Sequence, residues 1–257
     1  MFDVAAVKND FGKSAALYDR HAHLQRVVRE HAIALARNYW RGSEQLLDMG
    51  CGTGALSHEA ALLGLKWNIA SLDISPGMCR VALRHSARVV NAGAQCIPLG
   101  DARMDGVFSS LMLQWVDTPY GVFSELARIL KKGGVAVLST LVHGTLHELE
   151  AAFCAVDDRP HVSRFLHAHA LLALAEQAGL SLELARQAVH VEHHPDTVSL
   201  MRGLQAIGAA NKSAVRKRGL STARQFSALE AAYRERFAGP QGLPASWHVL
   251  YLVVRRK

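Results

Sequence analysis

The segment Leu46-Leu47-Asp48-Met49-Gly50-Cys51-Gly52-Thr53-Gly54 constrains the fold of this chain more than any other. A short apolar run beginning at Gln45 ends in three glycines at alternate positions. Leu56, Ala60, Ala61 and Leu63 then recur at helical spacing up to Gly64, so the order is strand, tight turn, helix. Glycines are needed where the backbone turns sharply and a ligand must come closer than a Cβ would permit. A nucleotide-like ligand is the expectation, although an ordinary strand-to-helix loop also uses glycine. A second apolar strand, Trp67 to Leu72, ends at Asp73, and Ser75-Pro76-Gly77-Met78 opens another helix with proline in its first turn. A carboxylate at the end of that strand can accept from both vicinal hydroxyls of a ribose; it also suits the positive end of the following helix.

The rest of the chain extends this alternation. Leu24, Val27, Val28, Leu35 and either His31 or Ala32 form the stripe of an amphipathic helix within 20–40. Gly106 to Leu113 is a third apolar run. A helix over Tyr120 to Leu130 carries Phe123, Leu126, Ala127 and Leu130 on one face, and Gly133-Gly134 stops it before the strand Val135 to Leu141. Strands alternating with helices predict a parallel sheet. Thr145 to Val156 and Ala168 to Ala178 read as helices, the second closed by Gly179, and Ser181 to Val191 alternates like a strand. Pro195 to Gly242 is helical and basic, with Arg202, Lys212, Arg216, Lys217, Arg218, Arg224, Arg234 and Arg236, before a last strand from Trp247 to Val254. One domain over 1–257 is predicted: a helical cover (1–40), a ligand-binding core (44–142) and helical elaborations (144–180 and 195–242).

With 257 residues, 50% of them hydrophobic and 20% charged, the chain can bury a full core and is unlike a disordered polymer. Cys51, Cys79, Cys96 and Cys154 form no CxxC pair, which argues against a disulfide framework or structural zinc and for a reducing compartment. No apolar stretch has the length of a membrane span, and the start lacks a signal-peptide core, so a cytoplasmic protein without a membrane partner is expected. The net charge of +7 calls for an acidic partner, whether nucleic acid, membrane surface or acidic protein. His143 and His147 stand i, i+4, with His161, His167, His169 and His193-His194 beyond, but no HExxH and no carboxylate at partner spacing accompanies them. No metal site is predicted.

Glycine spacing separates two kinds of nucleotide site. Redox dinucleotide folds use GxGxxG, whereas methyl-donor folds use the tighter GxGxG found here at 50, 52 and 54. Leu46 to Gly54 closely resembles the first motif of class I S-adenosylmethionine-dependent methyltransferases, and Asp73 with Ile74, Ser75 and Met78 resembles the second. Ser110-Leu111-Met112-Leu113-Gln114-Trp115 and Arg128-Ile129-Leu130-Lys131-Lys132-Gly133-Gly134 are similar to the fourth- and fifth-strand motifs of one branch, the malonyl-acyl-carrier-protein O-methyltransferases of biotin synthesis. The resemblance continues in Phe11 to Asp19 with His21 and Gln25, in Ser139 to Leu141 and Gly144 to Leu146, and in Asp158-Arg159-Pro160-His161 with Arg164-Phe165. It ends in Met201-Arg202-Gly203-Leu204 with Ile207-Gly208-Ala209, and in Leu243 to Val249.

That resemblance implies a Rossmann-like α/β fold with a mostly parallel seven-stranded sheet, helices on both faces, N-terminal helices and a lid-like helical insertion. It implies S-adenosylmethionine as cofactor, held by Tyr18, Gln25, Asp48, Gly50, Cys51, Gly52, Gly54, Asp73, Ile74, Met78, Asn91 and Leu111. Asn91 or a backbone carbonyl stands in for the acidic adenine ligand usual in the branch, since Asp101 falls beyond the equivalent segment. The implied reaction esterifies the free carboxylate of malonyl-acyl-carrier protein, which needs no general base because a carboxyl group of pKa about 4 is already ionised. Tyr18, Gln114 and Trp115 would position the reactants. Arg202 first and Arg164 second are the expected partners of the malonyl carboxylate, with His161 and Trp115 beside it, and the acidic carrier would dock on the basic 212–236 region. Gln205 replaces a lysine usual in the branch. The core motifs alone also permit methylation of another small acid or of RNA. A non-catalytic nucleic-acid-binding protein on this fold has only the net charge in its favour, without RNP, zinc-finger or helix-turn-helix signatures.

Overall fold

The computed structural model describes residues 22–156, 161–206 and 223–257. Among them, seven strands form one sheet: β1 (Gln45–Met49), β2 (Asn68–Asp73), β3 (Val89–Asn91), β4 (Met104–Ser110), β5 (Leu130–Leu141), β6 (Leu180–His194) and β7 (Leu243–Arg256). Their order across the sheet is β3-β2-β1-β4-β5-β7-β6. β1 to β5 pair in parallel, and β7 runs antiparallel between β5 and β6. The chain order thus reverses at β1 and β4, the position where an open α/β sheet leaves a crevice at its strand ends.

Side-chain alternation divides the core into two layers, because successive residues of a strand face opposite sides. Leu46, Phe108, Val135, Val137, Tyr251 and Val253 belong to one cluster, whereas Leu47, Met49, Val107, Ala136, Leu138 and Leu252 belong to the other. The first layer is covered by α1 (His23–Ala36), α2 (Ala55–Leu62), α5 (His147–Cys154), α7 (Thr197–Ala206) and α8 (Ala223–Phe237). The second is covered by α4 (Pro119–Ile129) and α6 (Ala168–Gln177), while α3 (Pro76–Ala82) follows β2. Helices therefore lie on both faces, as expected.

Three details depart from the sequence pattern. β3 is too short to carry a period and exists through its pairing with β2 over Ser71 to Asp73. Gly133 and Gly134 lie within β5, where the register against β4 shifts between Met104 and Gly106, and make a bulge in place of a stop. The third apolar run leaves the sheet at Ser110: Leu111 takes φ 51°, and Leu113–Trp115 closes as a 3₁₀ turn. Gln114 and Trp115 consequently sit beyond the strand end. The four cysteines are free thiols, Cys51 and Cys79 buried, Cys96 and Cys154 exposed. Among the described residues no helix is long and apolar enough to cross a membrane.

Candidate functional site

The crevice at the ends of β1, β2 and β4 holds two adjoining hollows that share Gly50, Gly52 and Ser110. The larger, about 990 Å³ counting its open side, runs past Asp73, Ile74 and Met78 to the segment Ala92–Gln95 and is closed by Leu111, Met112 and Trp115. The smaller, about 450 Å³, is bordered by Gln25 and Arg29 of α1 together with Asp48, Cys51 and Thr53.

The glycine turn divides its work. Gly50 has φ 77°, and a Cβ there would lie 2.4 Å from Cγ of Met112. Gly52 has φ 54°, but a Cβ would meet nothing within 4 Å, so its hydrogen leaves the crevice open. Gly54 (φ 84°) lines neither hollow; a Cβ would come 3.0 Å from Cα of Ala82, so this glycine seats α2 against α3. Asp73 locks the turn: its Oδ2 accepts from the Gly52 amide at 2.9 Å and its Oδ1 from the Ser75 amide at 2.8 Å. Burial raises the Asp73 carboxyl above its ordinary pKa despite these two bonds. Each oxygen retains a second acceptor site, the pair needed to receive vicinal hydroxyls. Ser75 caps α3, its Oγ accepting from the Met78 amide.

Among the described residues, two buried acceptors that border the smaller hollow have no hydrogen-bond partner. Asp48 is only 3% exposed, and its Oδ2 has no hydrogen-bond partner; the same holds for Oε1 of Gln25. Burial pushes the Asp48 carboxyl up to about 7, opposed by the Arg29 guanidinium and reinforced by Asp73. Arg29 is fixed by Glu59, whose carboxylate receives Nε at 3.0 Å and Nη2. Two orphaned buried acceptors beside a cation form a cradle for a zwitterionic amino-acid end. Next to it lie acceptors for a ribose and an apolar slot at Ile74, Met78 and Ala92. The residues present therefore fit a nucleoside that carries an amino acid.

The predicted residues fall into distinct places. Gly50, Gly52, Asp73, Ile74, Met78 and Leu111 line the larger hollow, and Gln25, Asp48 and Cys51 the smaller. Asn91 lines neither hollow: its Nδ2 donates to the Asp73 carbonyl at 2.8 Å and ties β3 to β2, and the wall at that end is made by Ala92–Gln95. Trp115 lines the larger hollow, whereas Gln114 and Arg164 line a third one beside it. His161 stacks on Phe153 with ring centroids 3.8 Å apart, and Arg202 is exposed on α7; neither borders these hollows. Tyr18 lies outside the described residues, as do Lys212, Arg216, Lys217 and Arg218. Arg29 escaped sequence reasoning, although its i, i+4 position after Gln25 was the available signal.

Comparison with known proteins bears on the family and the fold. A family model described as a methyltransferase domain matches residues 47–138, the glycine turn through β5. A malonyl-[acyl-carrier protein] O-methyltransferase of Hahella chejuensis is 36% identical over 259 residues, covering 99% of this chain and 91% of the relative. One from Serratia marcescens is 36% identical over 255 residues, covering 98% and 96%. Among solved structures, geranyl diphosphate C-methyltransferase from Streptomyces coelicolor, in complex with S-adenosyl-L-homocysteine, aligns with a TM-score of 0.54 at 17% identity over 92% of this chain and 82% of that one. That likeness speaks to the fold alone. An overall identity of 36% along nearly the full length of both chains extends well past the 47–138 core, and so the chain belongs to the malonyl-[acyl-carrier protein] O-methyltransferase family.

Proposed function

We propose that this enzyme methylates the free carboxylate of malonyl-acyl-carrier protein with S-adenosylmethionine held in the two adjoining hollows. The observation that carries the reading is the pair of orphaned acceptors, Asp48 Oδ2 and Gln25 Oε1, in a chain collinear with its relatives over nearly its full length. When bound, S-adenosylmethionine would supply an electrophilic methyl group to a carboxylate oxygen, its sulfur keeping the electron pair of the carbon–sulfur bond.

In this reading Asp48 and Gln25 receive the ammonium of the amino-acid end, Arg29 faces its carboxylate, and Asp73 takes the ribose hydroxyls. Leu111, Met112 and Trp115 close the crevice where the acyl group arrives, and their apolar surface keeps water out. An anion and a sulfonium neutralise one another on the way to the transition state, so a wall less polar than water favours the reaction. No side chain needs to remove a proton, since the carboxylic acid is ionised at neutral pH.

The decisive assay offers malonyl-loaded and acetyl-loaded carrier protein to the enzyme. Methyl ester should form on the first alone, and absence of product from the malonyl form defeats the reading. The same assay tests docking. Arg224 is exposed on α8, but Arg234 pairs with Glu230 and donates to the Pro195 carbonyl, and Arg236 donates to the Ala151 carbonyl. Part of the basic character of 212–236 is thus tied into the fold. The part left to attract an acidic carrier should make turnover fall as salt rises, and a salt-independent rate counts against docking there.

Asp48 makes cofactor affinity depend on pH. Its carboxyl titrates near 7, above the ordinary value of 3.8, so the stability gained from the neutral form is complete below about 4 and lost as pH rises through 7. A neighbouring ammonium favours the ionised form, and binding therefore releases a proton. Affinity for S-adenosylhomocysteine, read by calorimetry, should rise by up to about tenfold per pH unit from about pH 5 to 7 and then level off. Asp48→Asn should flatten that slope; an unchanged slope removes Asp48 from the site.

A further inference from the structure

We propose that the third hollow is the acyl pocket and that Arg164 is its specificity-determining residue, gripping one oxygen of a short acyl thioester's free carboxylate. The proposal rests on the methyl-transfer reading and deepens it.

Position is the first support. This hollow, about 530 Å³, lies beside the cofactor crevice and shares Val116 and Asp117 with it. Residues common to both linings make the two hollows neighbours, so an acyl chain that enters through this one reaches the edge of the cofactor crevice. Leu113, Leu141, Phe165 and Leu171 make the sides apolar, which suits a short carbon chain and excludes water from a reacting anion.

Chemistry is the second. Two of the polar side chains in the lining are turned towards the protein: Thr140 Oγ1 donates to Gln114 Oε1 at 3.0 Å, and Gln114 Nε2 donates to the Leu111 carbonyl at 2.7 Å. Gln114 is therefore a positioning residue, a strut between the acyl pocket and the left-handed Leu111 that closes the cofactor crevice. Of the charged lining residues, Asp117 stands on the shared wall, and Arg164 is the cation.

The state of that cation is the third support. Arg29, Arg128, Arg234 and Arg255 each hold a carboxylate of the protein. Arg164, by contrast, engages none among the described residues and remains exposed at the hollow. An arginine on an apolar wall that holds no carboxylate among the described residues is matched to a planar carboxylate, and gripping one oxygen leaves the other free to attack. Arg202, the first choice from sequence, lies on α7 near Asp196 and away from this lining.

The test uses the full-length enzyme and malonyl-pantetheine, a small thioester that lacks the carrier and so bypasses docking. Arg164→Ala should raise the KM for malonyl-pantetheine about 30-fold, with a smaller change in kcat. Arg164→Lys should recover part of that loss, and S-adenosylhomocysteine binding should stay at the wild-type level in both. A wild-type KM in Arg164→Ala, or a rise confined to Arg202→Ala, overturns the assignment while leaving methyl transfer intact. A wild-type enzyme that esterifies neither malonyl-pantetheine nor malonyl-loaded carrier protein overturns the methyl-transfer reading and the acyl pocket with it.

Discussion

Gly50→Ala is expected to lower the melting temperature by about 5–15 °C and to abolish measurable binding of S-adenosylhomocysteine. Two costs add at this position. A residue with a Cβ pays about 1–2 kcal/mol to hold the left-handed φ of 77°. The new Cβ would also lie 2.4 Å from Cγ and 2.7 Å from Cβ of Met112, and because Met112 Cβ sits next to the backbone, the clash cannot be relieved by swinging the end of a side chain. Repacking of that kind costs about 1–3 kcal/mol, and each kcal/mol moves the midpoint of a domain this size by about 2–4 °C. Met112 also walls the crevice, so its displacement reaches the ligand site. Gly52→Ala separates the two effects: it shares the left-handed cost but meets no atom within 4 Å, so it should lose affinity with a smaller loss of stability. Thermal melts with calorimetry on both variants check this, and equal melting temperatures for the two would refute it.

Asp73→Ala should weaken S-adenosylhomocysteine binding by about 100-fold or more, the scale expected when two charge-assisted hydrogen bonds are lost. In the proposed function the carboxylate serves the ligand through its spare acceptor sites; in the fold it fixes the amides of Gly52 and Ser75. Asp73→Asn should do little better, because its amide group must point at one of those N–H donors. Stability should change less than affinity. Burial of the Asp73 carboxylate is itself unfavourable, as its raised pKa shows, and removing it relieves that cost while sacrificing two hydrogen bonds. Near-wild-type affinity in Asp73→Ala would exclude it from the ribose site.

The parts of this site legible in the sequence share one property: each depends on residues close together in the chain. Strand, glycine turn and helix are specified within Gln45–Leu62, and the carboxylate that ends β2 immediately precedes the helix it helps start. Alternation along β5 and β7 likewise assigns Val137 and Val253 to one face and Leu138 and Leu252 to the other without knowledge of what covers them.

Tertiary structure decided what depends on register between distant segments. The Arg29–Glu59 pair joins α1 to α2 and sets a cation beside Asp48. Asn91 has the polarity of an adenine ligand, yet the β2–β3 pairing places its amide on the Asp73 carbonyl. Arg164 and Arg202 were ranked from motifs alone, whereas the fold puts the first at a hollow lined also by the end of β5 and the 3₁₀ turn and leaves the second exposed on α7. Local backbone preference and side-chain period are encoded over a few residues, so the sequence by itself determined the strand–turn–helix unit and the facing of the longer strands, while β3 and the bulge in β5 came from pairing. Which unsatisfied groups meet across the crevice is set by long-range packing, which no local pattern carries, and only the folded structure assigned them.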